Sequence, residues 1–221
     1  MIPVLIAQAE CSLTQCLELP WTTDSRLWNG TKAPYDFKYQ IILGPQSLTF
    51  LACVPIHAHQ LNLHPKDTKD DIAGTFKESL AEADVGELFI SENHGPGYLE
   101  IHVSPKGSWW LCAFEKSRVR SATQFSVNEE QNNSQTKVET IAKIGEHSWQ
   151  AGVKIPVSLL AENPIGKRLI AANLAAFQMS ATACVGKGER LFYSAARATG
   201  EKPDFHQPQN FLELLPLRLS F

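Results

Sequence analysis

Apolar and polar residues alternate along much of this chain with a period of two, in short runs separated by turn residues. Tyr35, Phe37, Tyr39, Ile41 and Leu43 alternate with Asp36, Lys38 and Gln40; after Gly44-Pro45-Gln46, apolar positions resume at Leu48, Phe50, Ala52 and Val54. This pattern predicts a hairpin with one buried face. A second hairpin is written in residues 97–114. Pro105 pre-sets φ at the second position of a type I turn, and Gly107 can take the left-handed position that follows. The resulting three-residue loop pairs Ser104 with Ser108. It sends Leu99, Ile101, Val103, Trp109, Leu111 and Ala113 to one face, expected to be the core, and Tyr98, Glu100, His102, Trp110, Cys112 and Phe114 to the other. A two-residue turn would exchange the two tryptophans. Further strands are expected at residues 87–91, 138–144, 149–155, 168–177, 190–194 and 211–219. Thr75 and Glu78 have capping-box spacing for a short helix reaching about Ala83, and Pro156 and Pro164 bracket a helical turn at most. Residues 57–71 and 121–136 read as polar connections. The pattern predicts one domain over residues 1–221: a mostly-β sandwich with one or two short helices.

Composition supports this picture and removes some functions. The 221 residues are 43% hydrophobic and 19% charged, enough for a sizeable core. A net charge of −3 and a pI near 6.2 argue against a nucleic-acid partner, which calls for a basic face. No apolar stretch approaches membrane-spanning length. The apolar run from Met1 to Ala9 has no basic residue before it and makes a poor signal peptide, so a cytoplasmic location is expected unless a leader precedes this sequence. The five cysteines, Cys11, Cys16, Cys53, Cys112 and Cys184, have neither disulfide-like nor zinc-like spacing.

Candidate chemistry is sparse. His57 and His59 could point the same way on a strand, with His64 nearby, yet their place between Pro55 and Pro65 favours solvated side chains over a metal site. Asp67, Asp70 and Asp71 would suit calcium but lack the spacing of a calcium loop, and Lys66 and Lys69 neutralise them. No nucleophile elbow, phosphate-binding glycine loop or zinc-protease helix is present. Glu87, Glu100 and His102 could meet on adjoining strands as an acid–base group, although sheet-face glutamates are more often solvated or paired. Aromatic faces suit sugars and flat ligands. Trp28 and Trp149 are expected in the core, Trp21 and Trp110 nearer solvent.

Several segments, in order, resemble the family 9 carbohydrate-binding modules and their DOMON-like relatives. Tyr98-x-Glu100-x-x-x-Ser104-Pro105-x-Gly107-x-Trp109, closing on Phe114 and Arg118, is similar to the family's central hairpin. Gly86-Glu87-Leu88-Phe89-Ile90 resembles the strand before it, and Trp149-x-Ala151-x-Val153-x-Ile155-Pro156 a later one. Leu191-Phe192-Tyr193-Ser194 and Pro203-Asp204-Phe205-His206-x-Pro208-x-x-Phe211 resemble the carboxyl end. The likeness runs from about Trp28 to Phe211. It implies a jelly-roll-like β-sandwich of two antiparallel sheets and a non-catalytic module that holds a carbohydrate or other small polar ligand on one sheet face. The expected contacts are Glu87, Glu100, His102, Trp110, Tyr193 and His206, the carboxylates accepting from sugar hydroxyls and Trp110 stacking on a ring. The chain departs from the family's tryptophan clamp: Ala195 stands where one tryptophan is frequent, and residues 75–86 offer only Phe76. Two other readings follow from the resemblance. One is a haem- or metal-binding DOMON-like protein, with calcium a further option, for which only Met1 and Met179 are available as methionine ligands. The other is a structural or partner-binding sandwich whose pocket has decayed.

Overall fold

A computed structural model describes residues 1–57, 60–65, 74–93, 95–127, 138–171, 174–187 and 190–219. In chain order the elements are β1 (Ile2–Ile6), α1 (Leu13–Leu17), β2 (Thr22–Arg26), β3 (Lys32–Leu43), β4 (Ser47–Pro55), β5 (Val85–Glu92), β6 (Tyr98–Val103), β7 (Trp109–Lys116) and β8 (Val119–Arg120). They continue with β9 (Glu139–Ile144), β10 (Ser148–Pro156), α2 (Val157–Leu160), α3 (Pro164–Ala171), β11 (Phe177–Val185), β12 (Leu191–Ser194) and β13 (Leu212–Arg218). The protein is mostly β with a few short helices. Among the described residues, no helix is long and apolar enough to cross a membrane.

The strands form one 13-stranded sheet in the order β8-β7-β6-β5-β11-β13-β1-β3-β4-β10-β9, with β12 on β11 and β2 on β3. The sheet is mixed, because β1 runs parallel to both β13 and β3. The expected pair of separate antiparallel sheets is therefore corrected. The apolar run Ile2–Ile6 is a central strand that joins the chain's two ends into one hydrogen-bonded ladder. Strands β4 and β5 are far apart in this order, yet a Cβ added to Gly86 would lie 2.6 Å from the Ala52 Cβ and 3.7 Å from the Trp149 ring. The two arms of the sheet thus face each other. Phe37, Phe50, Trp149, Leu88, Ile101, Val103, Trp109 and Tyr193 fill the space between them.

Both hairpins form, but neither keeps one face in solvent: Ile42 and Leu51 pack in a second cluster behind β3 and β4, and β6 is buried throughout. Val103 pairs with Trp109 and His102 with Trp110. Ser104 N donates to Ser108 O at 2.9 Å, and Gly107 is left-handed at φ 79°. The capping-box helix at residues 75–83 is not formed; only Leu80–Glu82 make a single 3-10 turn. Its backbone groups are instead taken by the strand beside it: Trp109 N donates to Thr75 O and Lys77 N to Trp109 O. Residues 168–177 were expected as a strand, but Pro164–Ala171 is helical and the strand begins at Phe177. Asn163 explains the start, its side-chain oxygen accepting from Ile165 N at 2.9 Å as an N-terminal cap. Trp28 is only half-buried, whereas Trp110 is buried, and His64 is buried rather than solvated. His59, Asp67, Asp70 and Asp71 lie outside the described residues.

Candidate functional site

The alternation in β5 settles which face carries polar chemistry. Gly86 looks inward at Ala52, so Glu87 and Phe89 look out from the opposite face. Register then places their neighbours: Glu87 pairs with His102 and with Thr182, His102 with Trp110, and Glu100 with Cys112. The outer face of β11-β5-β6-β7 accordingly carries Thr182, Cys184, Glu87, Glu100, His102 and Trp110. The segment from Phe205 to Phe211 crosses over this face. The rings of Phe205, His206 and Phe211 stand 5.7–6.4 Å from that of Phe89, and Tyr98 Oη is hydrogen-bonded to His206 Nδ1 at 2.6 Å.

Five of the six residues named from the sequence are therefore brought to one face: Glu87, Glu100, His102, Trp110 and His206. His102 Nε2 is 2.6 Å from Glu100 Oε1 and 3.3 Å from Glu87 Oε1, and His206 Nδ1 is 3.6 Å from Glu100 Oε2. The sixth is not. Tyr193 pairs with Ala183 on the inward parity of β11 and packs fully buried against Phe37, centroids 6.1 Å apart. A tyrosine on a four-residue edge strand gives no sequence signal of which face it takes, and here the aromatic core claims it.

The group is polar but not open. Glu87, Glu100 and His102 are 2–3% exposed, and the ring of Trp110 lies 4.7 Å from His102 with the Arg120 guanidinium 5.5 Å above its face. His206 is more accessible, its side chain 19% exposed. Burial opposes a charge on His102, but the hydrogen bond to Glu100 and the two carboxylate charges outweigh it and hold its pKa above the usual imidazole value. Thr182 Oγ1 donates to Glu87 Oε2 at 2.6 Å, and the Cys184 thiol lies 3.7 Å from the same oxygen. Thr182 and Cys184 were missed in the sequence because their strand was placed too early. The alternation of Phe177, Met179, Ala181, Ala183 and Val185 with Gln178, Ser180, Thr182 and Cys184 is the signal that could have found them.

Neither clamp position offers an open aromatic face. Ala195 is buried, and Phe76 packs edge-on against Trp109 at 5.1 Å. Met179 falls on the inward parity of β11 and is buried, so a methionine–histidine axial pair for haem is not assembled on this face. Glu87, Glu100 and His102 are, among the described residues, the group whose donor atoms lie close enough together to share a metal ion. At one end of the crossing segment there is a cleft of about 450 Å³ lined by Gly95, Pro96, Lys116, Ser117, Gln178, Pro208 and Gln209.

Comparison with solved structures gives this arrangement a setting. A candidate carbohydrate-binding protein from Bacteroides uniformis superposes with a TM-score of 0.63 at 14% identity, covering 98% of this chain and 99% of its own. A family 9 carbohydrate-binding module from Caldicellulosiruptor kristjanssonii, in complex with cellotriose, gives 0.56 at 12% identity over 99% and 95%. This chain has the fold of the family 9 carbohydrate-binding modules. A family 9 module from the same organism, in complex with glucose, gives 0.55 at 13% identity over 99% and 97%. At these identities the likeness establishes the fold alone. No family profile and no curated protein matches the sequence.

Proposed function

We propose that this protein is a non-catalytic carbohydrate-binding module, its single 13-stranded sheet folded over as a jelly-roll-like sandwich. The observation that carries the reading is the meeting of carboxylates, imidazoles and aromatic rings on the outer face of β5-β6-β7 within a family 9 fold. Hydrogen-bonding groups set among aromatic faces are the chemistry that recognises a sugar. In this reading His206 meets the ligand at the rim, with Trp110 packed behind it under Arg120. The buried Glu100–His102–Glu87 group lies beneath it, with Glu100 Oε2 3.6 Å from His206 Nδ1. An acid–base enzyme is disfavoured by geometry: 2–3% exposure leaves these carboxylates no path to a scissile bond.

A second location for the same function is supported by the 450 Å³ cleft, which falls in the usual size range for small-ligand sites. Its two glutamine amides, Gln178 and Gln209, offer paired donors and acceptors suited to vicinal hydroxyls. A glycan array that includes glucose and cello-oligosaccharides tests the function. Binding without release of reducing sugar is expected, and silence across the array with folded protein rejects it. Loss of binding in His206→Ala, with Gln178→Ala unaffected, assigns the rim; the reverse assigns the cleft.

A further inference from the structure

Glu87 and Glu100 put two carboxylates side by side at 3% exposure, and among the described residues their only ion partners within 4 Å are His102 and His206. Glu100 Oε2 has no hydrogen-bond partner there. A buried carboxylate oxygen left unsatisfied is expensive, and native structures normally supply a partner. The facing donors are one imidazole nitrogen and two carboxylate oxygens, all within 4.8 Å of one another. Two ligands about 2.0–2.1 Å from a tetrahedral ion stand about 3.3 Å apart, which is the 3.3 Å between His102 Nε2 and Glu87 Oε1. The Glu100–His102 pair, at 2.6 Å, would have to open by a rotation of the Glu100 carboxylate.

One carboxylate already has the support a metal ligand usually has, while His102 Nδ1 has no hydrogen-bond partner among the described residues. Metal-binding carboxylates are normally oriented by a further hydrogen bond, and Thr182 Oγ1 holds Glu87 Oε2 at 2.6 Å. Tyr98 Oη is hydrogen-bonded to His206 Nδ1, which stands 3.6 Å from Glu100 Oε2 without bonding to it. An imidazole among the donors selects against calcium and magnesium, which take oxygen ligands, and for a first-row transition ion.

We propose that His102 Nε2, Glu87 and Glu100 form a binding site for one divalent transition ion, with zinc as the ion of first choice, Glu87 being oriented by Thr182. The ion would sit beneath the carbohydrate face with water in its fourth position, and the proposal does not depend on any sugar being bound.

The test uses the full chain without a polyhistidine tag, produced in zinc-supplemented medium and passed over chelating resin. Elemental mass spectrometry should find about one zinc per chain, and cobalt reconstitution should give the visible absorption of a tetrahedral nitrogen–oxygen site. Thr182→Val removes only the hydroxyl behind Glu87 and should weaken zinc by about 10-fold or more in a competitive-indicator titration. Glu100→Gln should weaken it further. Protein that is folded by circular dichroism but takes up neither zinc nor cobalt overturns the proposal, and a proton on His102 is then the sole bridge between the carboxylates. Binding of calcium without zinc overturns it too. So does zinc held at parental affinity by Thr182→Val, the variant that remains informative if Glu100→Gln does not fold. Failure of every sugar to bind changes none of these readouts.

Discussion

Gly86→Ala is the smallest change that probes how the sheet closes on itself. The new methyl carbon would stand 2.6 Å from the Ala52 Cβ, about 1 Å inside a comfortable carbon–carbon contact. Ala52 Cβ is fixed to the β4 backbone and cannot rotate away, so the two arms must part. Overpacking of this kind costs about 1–3 kcal/mol. The loss of glycine freedom in the unfolded chain returns about 0.4–1 kcal/mol. The net expectation is a destabilisation of about 1–2 kcal/mol, or a fall in Tm of about 2–8 °C for a domain of this size. Urea unfolding of the single variant, of Ala52→Gly and of the swap Gly86→Ala/Ala52→Gly measures it. Ala52→Gly alone should cost about 0.5–1 kcal/mol. The swap should recover at least about 1 kcal/mol relative to the sum, because the two positions touch. A stabilised Gly86→Ala protein, or strictly additive costs, would mean that β4 and β5 do not meet and that the arms are arranged differently.

Three further outcomes are expected. Gly107→Val should destabilise the protein by more than about 1 kcal/mol while Gly107→Asn is better tolerated, because the turn holds this residue at φ 79°; equal stability of the two in thermal melts would argue against the bulged loop. Tyr193→Phe should leave both stability and ligand affinity unchanged, since the buried hydroxyl has no hydrogen-bond partner among the described residues; a loss of affinity in calorimetry would return Tyr193 to the site. In native protein at pH 8, iodoacetamide with peptide mapping should label Cys11 and Cys53 first. Burial pushes the thiols of Cys16 to about 11 and Cys112 to about 12, and that of Cys184 well above its ordinary value, so for Cys16 only about one thiol in a thousand is ionised. Labelling of Cys184 before Cys11 would contradict that burial.

Much of the site was legible because strands report their own faces. The period-two pattern and the Pro105–Gly107 loop put Glu100, His102 and Trp110 together, and Glu87 followed from the strand before them. What escaped the sequence depended on contacts between distant segments. Trp110 looked free on the outer face, but Arg120 and the His102 ring cover it. Thr75 and Glu78 carry a sound helix signal that loses to two backbone hydrogen bonds with Trp109. The parallel seating of β1 between β13 and β3 joins residues more than 200 positions apart, and local alternation says nothing about such a partner. Tyr193 failed for a related reason. A four-residue strand has too few positions to show which side is apolar.

Carbohydrate recognition by this face is read out by isothermal titration of the folded protein with a soluble oligosaccharide, cellotriose first, beside His206→Ala under the same conditions. His206 is the most exposed of the five clustered residues, so its truncation removes a ligand contact with the smallest effect on the core. Saturable binding to the parent protein is expected, with a loss of at least about 10-fold, or about 1.4 kcal/mol, in the variant. Parental affinity in His206→Ala, with Gln178→Ala equally unaffected, would remove carbohydrate recognition from this face of the sheet.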